Sequence, residues 1–302
     1  MPAARGRPKP SQRAVSPPSP RVGIVGAGRA GLGLALALSR AKVRVAGVHG
    51  RRERPMPAGL RLTLGPVPPW LPDVGIVLLA VRDDALGPLV ESLARSGAVG
   101  RGHVVLHLSG ALTCAVLAPL AGAGAATGSM HPLMTVSQEP ARAAKHFRGA
   151  AFVLEGELEA VAAADALVRR LGGVPLTIAP EAKPLYHAGA VFASNYVVTM
   201  VAVALRLLEG AGLAREAALA ALLPLARATL DNVSEAGEGP AGALTGPIAR
   251  GDAATLRRHL SALKHQDAEL YRAVGRETLR LAREAGLDEA RAARIEEILR
   301  VQ

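Results

Sequence analysis

The stretch VGIVGAGRAGLGLA, residues 22–35, decides the fold. Its first four residues form a short apolar run typical of a buried strand, and a helix-forming run follows the glycines. In that context the order G-x-G-x-x-G, formed by Gly26, Gly28 and Gly31, predicts a turn that binds a dinucleotide. Gly26 permits the tight turn, Gly28 lets the backbone approach a pyrophosphate, and Gly31 lets the helix pack against the strand. The residues predicted to contact the nucleotide at the positive helix N-terminus are therefore Gly26, Ala27, Gly28, Arg29, Ala30 and Gly31.

Short apolar segments alternate with helix-forming segments through the first half of the chain. These segments are apolar on both faces, as buried parallel strands are, and they lie at 22–25, 43–48, 74–80, 103–108, 150–156 and 174–179. The strand–helix order predicts an α/β protein with a Rossmann-type doubly wound sheet. After Pro180 helical patterns take over, at 184–209, 215–232, 253–271 and 275–300. The sheet is therefore predicted to be followed by an all-helical C-terminal domain.

Residues 1–20 contain six prolines, four basic residues and no acidic residue. This segment has no apolar centre, so it is not a secretory signal, and we predict a disordered tail. The predicted domains are then a nucleotide-binding domain at 21–180 and a helical domain for substrate binding and dimerisation at 181–302. No apolar run free of charges and turn residues reaches the ~20 residues of a membrane span, so no membrane partner is expected.

The composition narrows the classes of partner. The net charge is +11 and only 2% of the residues are aromatic, which argues against a stacking platform for nucleic acid. We interpret the charge as solvated arginines together with a local anion site. The single cysteine, Cys114, excludes an internal disulfide and favours the cytoplasm. Since no Cys or His pair has zinc-ligand spacing, no metal is expected.

The end of the second predicted strand indicates which dinucleotide binds. An NAD-binding protein usually has an acidic residue there, which binds the ribose hydroxyls. This chain has VHGRR, with Arg51 and Arg52, and two guanidinium groups suit the 2′-phosphate of NADP(H). The alternative is that both arginines belong to a solvated loop. In the turn after the next strand, LLAVRDDAL, the backbone of Ala80 and Val81 is expected to contact the nicotinamide half.

Two further motifs follow strand ends, HLSG at 107–110 and GSMHPL at 128–133. Ligands of open α/β sheets bind beyond the carboxyl ends of the strands. Ser109 is therefore expected to contact the cofactor, and Ser129 and His131 to contact the substrate. For His107, inside a strand, we predict an ordinary structural hydrogen bond. For His131, in a predicted loop before a proline, a structural and a functional role remain open.

The stretch KPLYHAGAVFASN, residues 183–195, places polar groups on an apolar helix pattern. Pro184 suits the first helical position and disfavours helical geometry at the preceding residue, so Lys183 is predicted at the helix cap. Helical spacing from His187 brings Ser194 close to the same face and Asn195 one side further round. The stripe is predicted to face the ligand cleft, although each residue taken alone could have a structural role.

The segment ALTGPIARGD, residues 243–252, lies between two helical patterns. Arg250 is expected to bind a substrate carboxylate bidentately, with Thr245 beside it. The alternative is a structural loop in which Asp252 caps the next helix.

With these motifs in order, the chain resembles the Rossmann-like proteins that carry a DUF2520 domain. The motifs are HLSGAL, GSMHPL, KPLYHAGAVFASN and ALTGPIARGDAATLRRHL, and the resemblance covers residues 21–270. That group is similar in architecture to pyrroline-5-carboxylate, ketopantoate and β-hydroxyacid reductases. The similarity implies an NADP-dependent oxidoreductase that reduces a small carbonyl or imine of the 2-oxo acid class, and a homodimer. Relatives commonly have proline where Arg82 stands.

The resemblance also bears on the proton donor. β-Hydroxyacid dehydrogenases use a lysine, and an asparagine four residues later, on the corresponding helix. This chain has Lys183 but His187 at that spacing, with Asn195 further along. Either Lys183 or His187 is therefore expected to supply the proton, while Ser194 and Asn195 orient the substrate. The alternative from another class is a non-catalytic NADP-binding sensor or scaffold protein.

Overall fold

The computed structural model of the protein describes residues 21–237 and 239–300. The predicted disordered tail at 1–20 lies outside the described residues. Contacts between residues divide the chain into two compact units, with the division between Phe192 and Ala193. The sequence interpretation places the boundary near residue 180, whereas in the structure the helix that begins at Lys183 belongs to the first unit.

The first unit contains one sheet with helices on both faces. Its strands are β1 Val22–Val25, β2 Val45–His49, β3 Leu62–Thr63, β4 Ile76–Leu79, β5 Val104–His107, β6 Ala126–Pro132, β7 Ala151–Gly156 and β8 Val174–Thr177. Its helices are α1 Arg29–Arg40, α2 Asp83–Ser96, α3 Ala118–Gly122, α4 Pro140–His146, α5 Leu158–Leu171 and α6 Lys183–Ala193. The strand order is β3-β2-β1-β4-β5-β6-β7-β8, and of these pairs only β6 and β7 run antiparallel. The predicted doubly wound sheet is confirmed.

Neighbouring residues of the central strands pack on opposite faces of the sheet. Ile24 of β1 and Leu78 of β4 face the core beneath α1, α4 and α5. Val25 and Val77 face the core beneath α2 and α3. Because both faces are covered, β1 and β4 have no polar side chain at any position, which is the pattern that predicted them.

Strand β6 corrects one expectation. The motif GSMHPL was expected in a loop, yet residues 128–132 lie in the strand. This strand pairs with β5 on one side and with β7 on the other. Backbone hydrogen bonds to two neighbours outweigh a composition of glycine, serine, histidine and proline, which by itself is not typical of a strand.

The second unit is helical, as predicted. Its helices are α7 Asn195–Gly210, α8 Arg215–Glu235, α9 Ala253–Ala262, α10 His265–Glu284 and α11 Glu289–Arg300. A small core forms where α9, α10 and α11 pack together, and it includes Leu256, Leu279, Ile295 and Leu299. In contrast, α7 and α8 each bury one residue, Leu205 and Ala218.

The segment Pro180–Gly210 is long and apolar enough to cross a membrane, with a mean hydropathy of 1.8. It is not one continuous helix, because α6 ends at Ala193 and the backbone of Ser194 leaves helical geometry at φ −125° and ψ −72°. Helices that bury an apolar face against another protein surface have the same composition. Length and hydropathy alone therefore do not define a membrane segment here.

Candidate functional site

The glycine-rich turn between β1 and α1 has the shape of a nucleotide cradle. Gly26 has a φ of +118°, and a Cβ built there would lie 2.3 Å from the carbonyl oxygen of Ala80. A Cβ on Gly31 would lie 1.9 Å from the carbonyl oxygen of Gly26. Both positions therefore require glycine for packing. At Gly28, the residue before α1, a Cβ would meet nothing within 4 Å, so this part of the turn is open to a ligand.

Exposed arginines lie on the two segments that adjoin this turn. Arg29 is the first residue of α1, and Arg51 and Arg52 lie in the loop after β2. Arg54, which the sequence interpretation missed, donates a hydrogen bond to the carbonyl oxygen of Ala27 within the turn. The open glycine and the positive charge together fit a dinucleotide that carries a 2′-phosphate.

A depression of about 550 Å³ lies beside these arginines. Its lining residues are Glu53, Arg54, Pro55, Leu62 and Leu64. His49, at the end of β2, is buried, and its two ring nitrogens lie 3.0 Å from Thr63 Oγ1 and from the carbonyl oxygen of Gly65. Burial lowers the pKa of His49. The two contacts of its ring tie the end of β2 to the segment around β3, and His49 itself does not line the depression.

The turn after β4 lies against the glycine-rich turn. The backbone N–H of Ala80 donates to the carbonyl oxygen of Val25 at 2.7 Å. Val81 follows, half-buried, and exposed Arg82 pairs with Asp84 at 2.8 Å. Asp83 and Asp84 stand in the first turn of α2, where a negative charge is favourable. The backbone expected to contact the nicotinamide thus adjoins the glycines expected to bind the pyrophosphate.

The turn after β5 is organised by its own polar side chains. Ser109 is buried, and its Oγ accepts hydrogen bonds from the backbone N–H groups of Ala111 at 3.2 Å and Leu112 at 3.0 Å. His107 accepts at Nδ1 from the N–H of Ser109, at 3.2 Å, and its Nε2 lies 3.2 Å from the carbonyl oxygen of Thr113. Burial, and next the Lys183 ammonium, lower the pKa of His107 to about 4. The structural role predicted for His107 agrees with these contacts.

A buried ion pair joins α6 to the sheet. The side chains of Lys183 and Glu155 are both 0% exposed, and Nζ lies 3.1 Å from Oε1. The ammonium also donates to Ser129 Oγ. Ser129 of β6 and Glu155 of β7 are direct partners across the antiparallel ladder, which brings both to the same ammonium. The Oε1 atom of Glu155 further accepts from the N–H of Cys114 at 2.7 Å, while its Oε2 has no hydrogen-bond partner among the described residues.

The backbone of Lys183 differs from the prediction. Its φ of −61° and ψ of −40° are helical, although the following proline disfavours this geometry. A 3-10 turn at Pro180–Ala182 leads directly into α6, so the chain enters the helix without a separate cap. From this first position of α6 the Lys183 ammonium contacts Glu155 and is shielded from solvent.

Charge and burial set the protonation of this cluster. Burial raises the pKa of Glu155, but the Lys183 ammonium and the hydrogen bonds to the carboxylate outweigh burial and hold it below its ordinary value. Burial lowers the pKa of Lys183 although the carboxylate opposes that shift. Burial, and next Glu155, raise the pKa of Cys114 to about 11. The cysteine is thus a thiol at neutral pH and not a nucleophilic thiolate.

Two histidines and a tyrosine meet beside this pair. Nδ1 of His131 lies 2.5 Å from the hydroxyl oxygen of Tyr186, and the ring centroids of His131 and His187 are 6.1 Å apart, edge to face. A Cβ on Gly110 would lie 2.7 Å from His187 Cδ2 and 2.8 Å from His131 Nε2. Glycine in the HLSG motif therefore lets both imidazoles close over the turn after β5. Burial, and next His187, lower the pKa of His131 to about 4.

The other predicted substrate residues lie in the second unit. Ser194 interrupts the helix, so the helical spacing that related it and Asn195 to His187 does not apply. Asn195 is the exposed first residue of α7. Thr245 and Arg250 are exposed in the segment before α9, and Asp252 caps that helix by accepting from the N–H of Thr255 at 3.0 Å. The predicted cap is confirmed, and substrate contact by the other four residues stays a prediction.

The fold defines a class, that of Rossmann-like proteins with a second, helical domain. Family models confirm both parts. A Rossmann-like domain matches residues 6–132, and a domain of unknown function, DUF2520, matches residues 150–278. The chain thus contains a Rossmann-like domain followed by a DUF2520 domain.

Solved structures share this architecture. A candidate NADP oxidoreductase from Bacteroides fragilis is 24% identical, with a TM-score of 0.67 over 88% of this chain and 98% of that chain. Pyrroline carboxylate reductase of Plasmodium falciparum with NADP bound is 12% identical, with a TM-score of 0.59 over 92% and 98%. A reductive aminase of Aspergillus terreus in complex with NADPH is 16% identical, with a TM-score of 0.53 over 93% and 92%. At these identities the likeness establishes the fold, and a comparison with curated proteins found no match.

Proposed function

We propose that the protein is an NADP-dependent oxidoreductase that reduces a small carbonyl or imine compound of the 2-oxo acid class. One observation carries the proposal. A glycine turn that is open at Gly28, with exposed arginines on α1 and in the loop after β2, shares the first unit with the histidine cluster, and both lie at carboxyl ends of parallel strands. Ligands of this fold bind at that edge.

The cofactor would be held by groups already described. Backbone N–H groups from Ala27 to Gly31, at the N-terminus of α1, would bind the pyrophosphate, while the N–H of Gly26 donates to the carbonyl oxygen of His49. Arg51 and Arg52 are free to bind the 2′-phosphate because both are exposed. The structures of similar fold from Plasmodium falciparum and Aspergillus terreus contain NADP or NADPH, which supports the same cofactor for this chain.

Bound NADPH would supply a hydride to the carbonyl or imine carbon. The residues of the chain would then provide the proton and hold the acceptor atom. His187 is half-buried, whereas the ammonium of Lys183 is 0% exposed and already bonded to Glu155 and Ser129. This difference supports His187 as the proton donor, with Lys183 acting through the groups it holds.

We also propose that the protein is a homodimer, paired through its helical unit. Helices α7 and α8 leave large apolar side chains exposed along their length, including Val198, Leu225 and Leu230. Exposed apolar surface of this kind marks an interaction site. The cytoplasmic location and the lack of nucleic-acid and membrane partners stay predictions from composition.

Cofactor choice tests the proposal directly. The affinities of wild type and of the double variant Arg51→Ala/Arg52→Ala for NADPH and for NADH are measured by fluorescence titration. We expect wild type to prefer NADPH, and the variant to lose roughly 1.5–3 kcal/mol of NADPH binding, because charge-assisted hydrogen bonds are removed. Arg95→Ala, which removes an exposed arginine at the end of α2, is the control and should bind NADPH normally. Equal affinity of wild type for both cofactors would contradict the assignment.

An assay of NADPH oxidation distinguishes a reductase from a non-catalytic sensor or scaffold protein. The full chain is incubated with NADPH and a panel of 2-oxo acids and cyclic imines, and cofactor oxidation is followed by absorbance. We expect oxidation with at least one compound and its loss in His187→Ala. NADPH binding without turnover of any compound would favour the non-catalytic sensor or scaffold.

A further inference from the structure

Tyr186 is the one member of the histidine cluster that the sequence interpretation does not use. Its hydroxyl oxygen lies 2.5 Å from His131 Nδ1, and the two rings are edge to face with centroids 5.7 Å apart. Tyr186 lies on α6, three residues after the buried Lys183. The ion pair that joins α6 to the sheet therefore also holds the phenol at this distance from β6.

The hydrogen bond constrains where His131 carries its proton. A neutral imidazole has one donor nitrogen and one acceptor nitrogen, and the partner of one nitrogen selects the tautomer. Burial raises the pKa of Tyr186 to about 12, so the phenol keeps its proton and can donate. When Tyr186 donates to Nδ1, His131 must carry its own proton on Nε2.

The Nε2 edge of His131 faces the turn after β5. A Cβ on Gly110 would lie 2.8 Å from both Nε2 and Cε1 of that ring. No protein hydrogen bond is formed by this nitrogen among residues 21–237 and 239–300. Nε2 is thus the ring nitrogen without a protein partner in the described part of the chain, and His131 stands near the end of β6, at the carboxyl edge of the sheet where this fold binds its ligands.

We propose that Tyr186 is a positioning residue that holds His131 in the Nε2–H tautomer, and that this N–H donates a hydrogen bond to the substrate atom that becomes negative during reduction. The proposal rests on the proposed reductase function and names a substrate contact within it. His131 keeps its proton and polarises the carbonyl or imine, as a fixed donor does at an oxyanion. The proton that ends on the product comes from another group, for which His187 is the candidate.

The first test needs no substrate and no cofactor. The full chain is labelled with ¹⁵N-histidine, and long-range ¹H–¹⁵N spectra report which ring nitrogen of each histidine carries the proton. His131→Ala identifies the signals of His131. We expect wild-type His131 to be the Nε2–H tautomer and Tyr186→Phe to give a mixture of tautomers. A proton on Nδ1 in wild type, or an unchanged tautomer in Tyr186→Phe, would overturn the proposal.

The chain offers a matched control for this experiment. In the second unit Tyr271 forms the same kind of pair with His259, with the hydroxyl 2.9 Å from Nδ1 and the centroids 5.8 Å apart. Tyr271→Phe should change the signals of His259 and leave those of His131 as in wild type. A change at His131 in this control would show that loss of any tyrosine hydroxyl perturbs the cluster, which would also overturn the proposal.

Kinetics with a compound that is turned over supplies the second test. His131→Ala should lower kcat roughly 10²- to 10³-fold, as loss of a single fixed donor does, and Tyr186→Phe should lower it by a smaller factor. The double variant should be no slower than His131→Ala, because Tyr186 acts through His131. NADPH affinity should stay within about twofold of wild type in all three. If no compound is turned over, the proposed function fails while the nitrogen spectra still decide the tautomer.

Discussion

Lys183 carries its charge in a place that water does not reach. Transfer of an ammonium from water into a protein interior costs several kcal/mol unless the charge is paired and hydrogen-bonded. Glu155 and Ser129 supply that pairing. Removing one member of such a pair leaves an uncompensated buried charge, whereas replacing both members with neutral groups leaves no buried charge.

We therefore predict unequal effects of single and double substitutions at this pair. Lys183→Met should lower the free energy of unfolding by about 3–5 kcal/mol, and Lys183→Met/Glu155→Gln should lose clearly less. Urea denaturation of each variant measures this. Arg169→Ala breaks the exposed pair with Asp165 and should cost under ~1 kcal/mol. A cost for Lys183→Met as small as that of Arg169→Ala would contradict the prediction.

The same measurement has a defined pH dependence. The fold holds the pKa of Glu155 below its ordinary value of 4.5, so the stabilisation from this carboxylate is present above that pH. It is lost as the pH falls through the lower value of the folded state. In Lys183→Met the carboxyl of Glu155 lacks its counter-charge and takes up a proton more readily. The difference in free energy of unfolding between this variant and wild type should therefore become smaller at acidic pH.

At the scale of elements, a helix or strand could be predicted from the sequence when the residues that determine it are close together in the chain. The glycine turn and the buried strands were predictable because their patterns lie within a few neighbouring residues. Strand β6 was not, since its pairing with β5 and β7 comes from distant parts of the chain. The break at Ser194 was hidden because apolar helix patterns continue on both sides. Glu155 was missed because its partner Lys183 stands 28 residues away.

The antiparallel joint between β6 and β7 supplies a prediction at this scale. Gly156 has a φ of +133°, and a Cβ there would lie 2.4 Å from Gly128 Cα. Gly156→Ala should therefore lower the free energy of unfolding by about 3 kcal/mol or more, from backbone strain and overpacking together. Gly97→Ala is the matched control, since Gly97 has a φ of +65° with nothing within 4 Å of its Cβ position. It should cost only about 1–2 kcal/mol, and equal costs in thermal or urea unfolding would exclude the close approach.

At the scale of the whole molecule, the second unit has more apolar surface than its own core uses. Its core lies among α9, α10 and α11, while α7 and α8 bury one residue each. Burial of apolar side chains contributes roughly 25 cal/mol for each Å² removed from water. A second copy of the chain is a partner that would cover this surface in every molecule.

Light scattering at micromolar concentration is expected to give about twice the chain mass of 31.0 kDa. Leu225 and Leu230 of α8 are 64% and 56% exposed. The double substitution Leu225→Glu/Leu230→Glu should give the monomer mass, because it places charges on the apolar surface through which the copies are proposed to pair. Leu158→Glu, at a position on α5 in the first unit that is 91% exposed, should leave the mass of wild type unchanged. A wild-type mass near that of one chain would refute pairing.

The membership of α6 in the first unit has a consequence for shortened genes. A stop codon after residue 193 would still encode Lys183, Tyr186 and His187 together with the sheet they contact. A stop codon after residue 180, at the boundary that composition alone indicates, would remove the ammonium together with α6, and the carboxyl of Glu155 would lose its counter-charge. The shorter polypeptide would have to protonate that carboxyl or open the edge of its sheet to water.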